Sequence, residues 1–363
     1  MIRIENLVKI YQDTVALNDV NVEIHKGDVI SVIGLSGAGK STLLRCINLL
    51  EQPTSGHIYI DGEEITAKGC DVARIRSKMG MVFSNFNLFP HMTVLENIMA
   101  APMDLFGLPK QNAYENAMEM LRKVGLADKA FSYPDEISDG QKQRAAIART
   151  LAMEPEIILF DEPTSALDPT MTGEVQAVIR ELAKQGTTMI IATTEMKFAR
   201  EISNRVFYMD QDTIYEDGTP EQIFDHPKRE RTRKFIRQLK VMNYTISSRD
   251  FDFIGFYMQV EDFGIKNRVS PRMVYKLQSY LEEMCLQILL PQMKDPVELQ
   301  ITIEYSEVKE ELEVVIRYNG EAFDPAQTEN TLSLLMAKNV TADMSYDCDM
   351  ENDKINMVQA KIA

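Results

Sequence analysis

Gly34-Leu-Ser-Gly-Ala-Gly-Lys40-Ser41-Thr42 follows the apolar run Val29-Ile-Ser-Val-Ile33 and precedes a helical stretch to Leu50. The pattern GxxxxGK[ST] between a strand and a helix is built for phosphate: glycines let the backbone curl so that its N–H groups converge at the positive end of a helix. Lys40 is positioned to reach β- and γ-phosphates and Ser41 to ligate Mg²⁺, with Ser36, Gly37, Gly39 and Thr42 as further nucleotide contacts. A second acidic pair ends the run Ile157-Ile-Leu-Phe-Asp161-Glu162. A carboxylate at the end of a buried strand can hold the Mg²⁺ shell, and the next can orient or deprotonate an attacking water. Asp161 is the candidate metal partner and Glu162 the candidate base. The chemistry is nucleotide binding and phosphoryl transfer, with ATP and Mg²⁺ as cofactors.

Positioning these groups calls for a parallel sheet. Val29–Ile33, Ile157–Phe160 and Thr188–Ala192 are short continuous apolar runs, as expected of strands buried on both faces in an α/β fold. From Met92 to about Leu151 there are no such runs and the periodicity is helical, which predicts a helical subdomain over about residues 85–155. The pattern breaks near Leu239 to Ser248, and residues 241–248 read as a linker. Beyond it, a Ser270-Pro271 helix start, alternation in Val297–Tyr305 and Leu312–Tyr318, and a helical Leu332–Lys338 predict a second α/β domain over 249–363.

The 363 residues suit two domains. No run approaches the roughly 18 to 20 apolar residues of a membrane span. The N-terminus lacks the basic stretch and apolar core of a secretory signal, which predicts a cytoplasmic protein. Cys46, Cys70, Cys285 and Cys348 are far apart with no CxxC pair, so neither zinc nor a disulfide framework is expected. A net charge of −16 argues against nucleic acid as a partner, and the basic run Lys228–Lys234 reads as a solvated helix face.

Ile137-Ser138-Asp139-Gly140-Gln141 stands between the phosphate loop and the acidic pair and resembles the LSGGQ signature of ATP-binding-cassette ATPases. Ser165-Ala-Leu-Asp168 resembles their D-loop, and Tyr11 resembles the aromatic that stacks on adenine. The resemblance spans about residues 1–240. It is strongest to the ATPase subunits of bacterial polar amino-acid importers, through Phe86–Asn97, Asp161–Pro169 and Glu195–Arg200. It implies a P-loop NTPase cassette with an inserted helical subdomain, acting as a head-to-tail dimer that sandwiches two ATP molecules. In that dimer Ser138, Gly140 and Gln141 of one copy face the nucleotide on the P-loop of the other, and Asp168 lies at the subunit junction. A homodimer or a heterodimer with another cassette ATPase, carried by separate membrane permease subunits at the inner face of the cell membrane, follows from the resemblance.

Three positions depart from the family. Ser84 replaces a glutamine of the Mg²⁺ shell and is too short to reach the ion without a water or a backbone shift. Asp139 replaces a signature glycine and either brings negative charge toward a γ-phosphate, opposing closure, or points outward to solvent at little cost. Thr194 replaces the switch histidine, which removes a donor whose loss typically costs about a hundredfold to a thousandfold in rate. Tight ATP binding with slow hydrolysis is expected.

Residues 249–363 resemble the GHKL-type ATPase domain of anti-sigma-factor kinases, through Leu281-Glu282-Glu283-Met-Cys-Leu-Gln287 and Arg317-Tyr318-Asn319-Gly320-Glu-Ala-Phe-Asp324-Pro325. Gln287 replaces the metal-holding asparagine, Tyr318 the adenine-reading aspartate, and no Gly-rich lid follows. The domain is therefore expected to be a nucleotide-dead scaffold for dimerisation or for contact with a soluble regulatory partner. The importer subunit is the first functional reading. The alternatives are a non-transport ATP-responsive regulator and a modulating partner of a standard cassette ATPase.

Overall fold

The computed structural model describes residues 1–349 and 355–363, and the chain divides into two units, Met1–Arg233 and Lys234–Ala363. The first opens with an antiparallel hairpin, β1 (Ile2–Tyr11) and β2 (Thr14–Ile24). Next come β3 (Val29–Gly34), α1 (Lys40–Ile47), β4 (Ser55–Ile60), β5 (Glu63–Glu64), α2 (Val72–Ser77) and β6 (Met79–Phe83). Between β6 and β7 (Ile157–Asp161) the chain is helical, with α3 (Val94–Phe106), α4 (Lys110–Lys123) and α5 (Asp139–Leu151) as its main elements. The unit continues through α6 (Pro169–Lys184), β8 (Thr188–Ala192), α7 (Met196–Ile202), β9 (Arg205–Asp210), β10 (Thr213–Gly218) and α8 (Pro220–Phe224).

Two sheets result. One has the order β2-β1-β4-β5; the other, β10-β9-β3-β8-β7-β6, is parallel except for β10. Every residue of β3, β7 and β8 is buried, because helices cover both faces of a parallel sheet. The phosphate loop, Glu162 and Thr194 follow the carboxyl ends of β3, β7 and β8, where an open α/β sheet gathers its ligand contacts.

Helix α9 (Glu230–Arg237) carries the chain into the second unit. There follow β11 (Leu239–Ile246), α10 (Phe253–Lys266), α11 (Pro271–Leu281), a π-helical stretch (Glu282–Leu289), the single turn α12 (Leu290–Gln292), β12 (Leu299–Ser306), β13 (Glu311–Tyr318), α13 (Thr331–Asn339), β14 (Thr341–Asp349) and β15 (Ile355–Ile362). The strands form one antiparallel sheet of order β11-β12-β13-β15-β14. Alternate residues of β12 and β13, among them Leu299, Ile301, Ile303, Leu312, Val314 and Ile316, pack with Phe256, Val260, Tyr280, Leu281 and Ile288 in one core. The expected smaller α/β sandwich is present.

The expected linker at 241–248 is corrected by this sheet. Residues Leu239–Ile246 pair with β12 over eight positions, Ile246 is fully buried, and the Arg237 carbonyl accepts from Ser306 Oγ at 2.9 Å. The second domain thus begins at the unit boundary rather than at 249. A fragment 234–363 should unfold cooperatively on heating followed by circular dichroism. A fragment 249–363, stripped of β11, should show a melting temperature lower by more than about 10 °C or no cooperative transition, given the loss of the buried Ile246 and of an edge strand paired over eight positions.

Candidate functional site

The loop after β3 is shaped by glycines that no other residue could replace. Gly39 has φ +87°, and a Cβ there would sit 2.3 Å from the Ala16 carbonyl oxygen. Gly34 meets the Met209 carbonyl in the same way at 2.4 Å. Gly39 is also the N-cap of α1 and brings no side-chain acceptor, so the first N–H groups of the helix stay available to an anion. Ser36 and Gly37 form the exposed tip of the loop. Tyr11, at the end of β1, faces the Thr42 side chain and carries the Lys9 ammonium 4.6 Å above its ring.

Lys40 is buried, with its ammonium donating to the Gly34 and Leu35 carbonyls at 3.1 Å each and lying 3.8 Å from Glu162 Oε1. Ser41 Oγ donates to Asp161 Oδ1 at 2.5 Å, and Arg45 Nη2 donates to Asp161 Oδ2 at 3.1 Å. Ser41 and Arg45, four residues apart, share one face of α1 and hold the two oxygens of one carboxylate. The sequence reading passed over Arg45, although its i+4 spacing from Ser41 was the available signal.

Glu162 has φ +50°, and its N–H donates to the Ala192 carbonyl at 3.0 Å. This turns the side chain out of the sheet and toward Lys40. Burial pushes its pKa above the usual carboxylate range, while the Lys40 charge and the Thr194 backbone N–H oppose the rise. Thr194 therefore stands beside Glu162 by way of its main chain, and its side chain is exposed. Ser84 directly follows Phe83, which pairs in register with Asp161. The buried Gln143 of α5 donates to the Phe83 carbonyl at 3.0 Å and ties the signature helix to this strand end.

At the signature, Ser138 caps α5: its Oγ accepts the Gln141 N–H at 3.3 Å, and its own N–H donates to Gln141 Oε1 at 2.9 Å. A Cβ on Gly140 would meet Met171 Cβ at 2.9 Å, so the glycine is required by packing. Asp139 begins the helix with φ outside the left-handed region, and its carboxylate accepts from Lys142 Nζ at 2.8 Å. The fold does not demand glycine there. Asp168 caps α6, accepting the Thr170 hydroxyl at 2.5 Å and the Thr170 and Met171 N–H groups at 2.9 and 3.0 Å, and these bonds, the hydroxyl's first, hold its pKa below the usual range. Met171 thereby links the Asp168 cap to Gly140.

The donor set fits Mg²⁺, which keeps most of its ligands as water and phosphate oxygens and needs only one or two from protein: Ser41 Oγ and Asp161 Oδ1 already converge. Among the described residues, no group of three His, Cys, Asp or Glu side chains could hold a metal alone, and no helix is long and apolar enough to cross a membrane.

Comparison with known proteins places these features. The ABC transporter family pattern matches residues 17–165. The chain is 51% identical over 239 residues to the glutamine transport ATP-binding protein GlnQ of Geobacillus stearothermophilus, covering 66% of this chain and 99% of that protein. It is also 51% identical over 239 residues to the arginine transport ATP-binding protein ArtM of Bacillus subtilis (strain 168), covering 66% of this chain and all of that protein. A solved dimeric structure of the ATP-binding cassette MJ0796, in a post-hydrolysis state bound to ADP and Pi, superposes with a TM-score of 0.56 at 33% identity, covering 61% of this chain and 99% of that one.

Arg45→Met removes the cation on Asp161 Oδ2 without touching the P-loop backbone. In a titration of a fluorescent nucleotide, the Mg²⁺ concentration for half-maximal binding should rise about tenfold, the usual cost of losing a partner behind a metal ligand. Binding in EDTA should be unchanged.

Proposed function

Because this chain belongs to the ABC transporter family, we propose that it is the ATP-binding subunit of an amino-acid import system and that two cassettes close head to tail on MgATP beneath a separate permease. The observation that carries the reading is the near full-length match to GlnQ together with an intact set of Lys40, Ser41, Asp161 and Glu162. The relatives reported above are transport ATP-binding proteins, which favours the importer over the regulator or modulator.

The chain is an ATPase of this family, and its residues divide the work. Lys40 exchanges its two carbonyl partners for β- and γ-phosphate oxygens, and the open end of α1 receives the phosphates. Ser41 and Asp161 would hold Mg²⁺, which would supply charge neutralisation for the phosphates. Glu162 orients or takes a proton from the attacking water, and its raised pKa brings it nearer the operating pH of a base. Ser138, Gly140 and Gln141 present the α5 N-terminus to the nucleotide of the other cassette, and Tyr11 offers its ring to adenine. No side chain at 194 replaces the histidine donor, so hydrolysis is slow. Ser84 falls short of the metal shell, so its report of nucleotide state is weak.

Membrane attachment has a physical counterpart. Asn97 holds the loop before α3 by accepting the Phe89 N–H at 2.7 Å and donating to the Phe89, Met92 and Thr93 carbonyls at 3.0 to 3.1 Å. Phe89 stays exposed, and a groove of about 600 Å³ lined by Met79, Met81, Leu105 and Phe106 lies on this unit. These are the surfaces offered to a permease helix, and they make the protein peripheral at the inner membrane face. In the second unit, Tyr318 is buried with its hydroxyl donating to the Phe323 carbonyl at 2.5 Å, which turns it onto the domain's own main chain and puts no carboxylate there for an adenine amine. That supports a nucleotide-dead scaffold.

Affinity purification of the full chain from native membranes should recover a polytopic permease, and recovery of soluble partners alone would overturn the importer reading. Phosphate release by the purified protein should be slow and should rise between about tenfold and a thousandfold in the Thr194→His, Ser84→Gln double variant. Since Glu162 titrates above the usual range, activity should fall off on the acid side at a pH above the roughly 4.3 of an ordinary glutamate, as read from a kcat/KM profile.

A further inference from the structure

Asp139 stands between Ser138 and Gly140, at the helix end that the dimer turns toward the other cassette's nucleotide. An extra negative charge there would repel a polyphosphate by enough to weaken closure about tenfold or more at separations near 6 Å. Yet the fold accepts this residue without strain: its backbone is helical, it lies on the first turn of α5, and the helix dipole favours an acid at that place.

Lys142 supplies what the sequence reading did not consider. It lies three residues on, on the same face of α5, and its ammonium is 2.8 Å from Asp139 Oδ1, with its own side chain more covered than that of Asp139. The contact sets an equal and opposite charge against the carboxylate and turns it along the helix instead of across the helix end. We propose that Lys142 is a positioning residue of the nucleotide sandwich: it neutralises Asp139 and keeps its carboxylate off the face that receives the partner's γ-phosphate. This rests on the head-to-tail dimer. The pair's own contribution to stability is small, as for any exposed ion pair, so its effect lies in nucleotide-driven association.

A double-mutant cycle on the full chain separates the roles. All variants carry Glu162→Gln so that ATP-bound dimers accumulate, and light scattering follows dimer formation as MgATP is titrated. With Asp139 present, Lys142→Gln should raise the half-saturating ATP concentration about tenfold, while Lys142→Arg should restore it. In the Asp139→Gly background, Lys142→Gln should change it by less than about twofold, because the partner it neutralised is gone. Raising the salt should shrink the first difference. Equal losses in both backgrounds, or no loss in either, would overturn the inference while leaving the dimer intact. Absence of an ATP-dependent dimer in every variant, Asp139→Gly included, would instead remove the dimeric reading, and this inference with it.

Discussion

The Asp161 carboxylate is the joint on which the cassette depends. It ends a strand of five buried residues and is itself almost fully covered, so its charge must be met by partners or its burial would be prohibitive. Both partners come from one face of α1: Ser41 on one oxygen and Arg45 on the other. Two charge-assisted bonds therefore fasten the helix that follows the phosphate loop to the middle of the sheet. Once that joint is made, the positions of the other groups follow from strand register. Phe83 pairs beside Asp161 and delivers Ser84, and Ala192 pairs on the other side and delivers Thr194.

Much of this was legible in the sequence because the parts are local. A strand, a glycine turn and a helix start determine the phosphate loop within a dozen residues, and continuous apolar runs mark β3, β7 and β8 because both of their faces are covered. What was not legible depends on tertiary contact. Leu239–Ile246 reads as a break because the exposed Lys240, Asn243 and Thr245 fall on both of its faces and interrupt the apolar alternation, and only pairing with β12 reveals it as an edge strand. Arg45 looked like an ordinary basic residue near a helix end until Asp161 arrived from 116 positions away. The charge of Asp139 is readable from the sequence, but its pairing with Lys142 and its place on the first turn of a helix are not.

The three unusual residues therefore act at different levels. At 194 the main chain performs part of the task, since its N–H faces Glu162 whatever the side chain, so geometry at the base survives while donor chemistry is lost. At 139 the side chain is new but its charge is answered locally by Lys142. At 84 a short side chain follows the strand end that pairs beside Asp161, so the main chain is in register while the reach of the side chain is reduced.

These differences separate two properties that a cassette normally couples. Binding draws on backbone N–H groups, Lys40 and the Ser41–Asp161 pair, all fixed by glycine geometry and strand register before any nucleotide arrives. Rapid hydrolysis draws on groups beyond that frame which respond to the γ-phosphate. On the proposed function, a chain that keeps the first set and lacks the second would spend more of its cycle closed on ATP, so residues that govern closure, such as the N-terminal end of α5, would weigh more heavily on its behaviour than those that govern the chemical step. The second unit has a separate core, in which the Tyr318 hydroxyl is bonded to the unit's own main chain. A long-lived closed state would give such an attached domain a lasting arrangement to act upon, which a rapidly turning cassette would not.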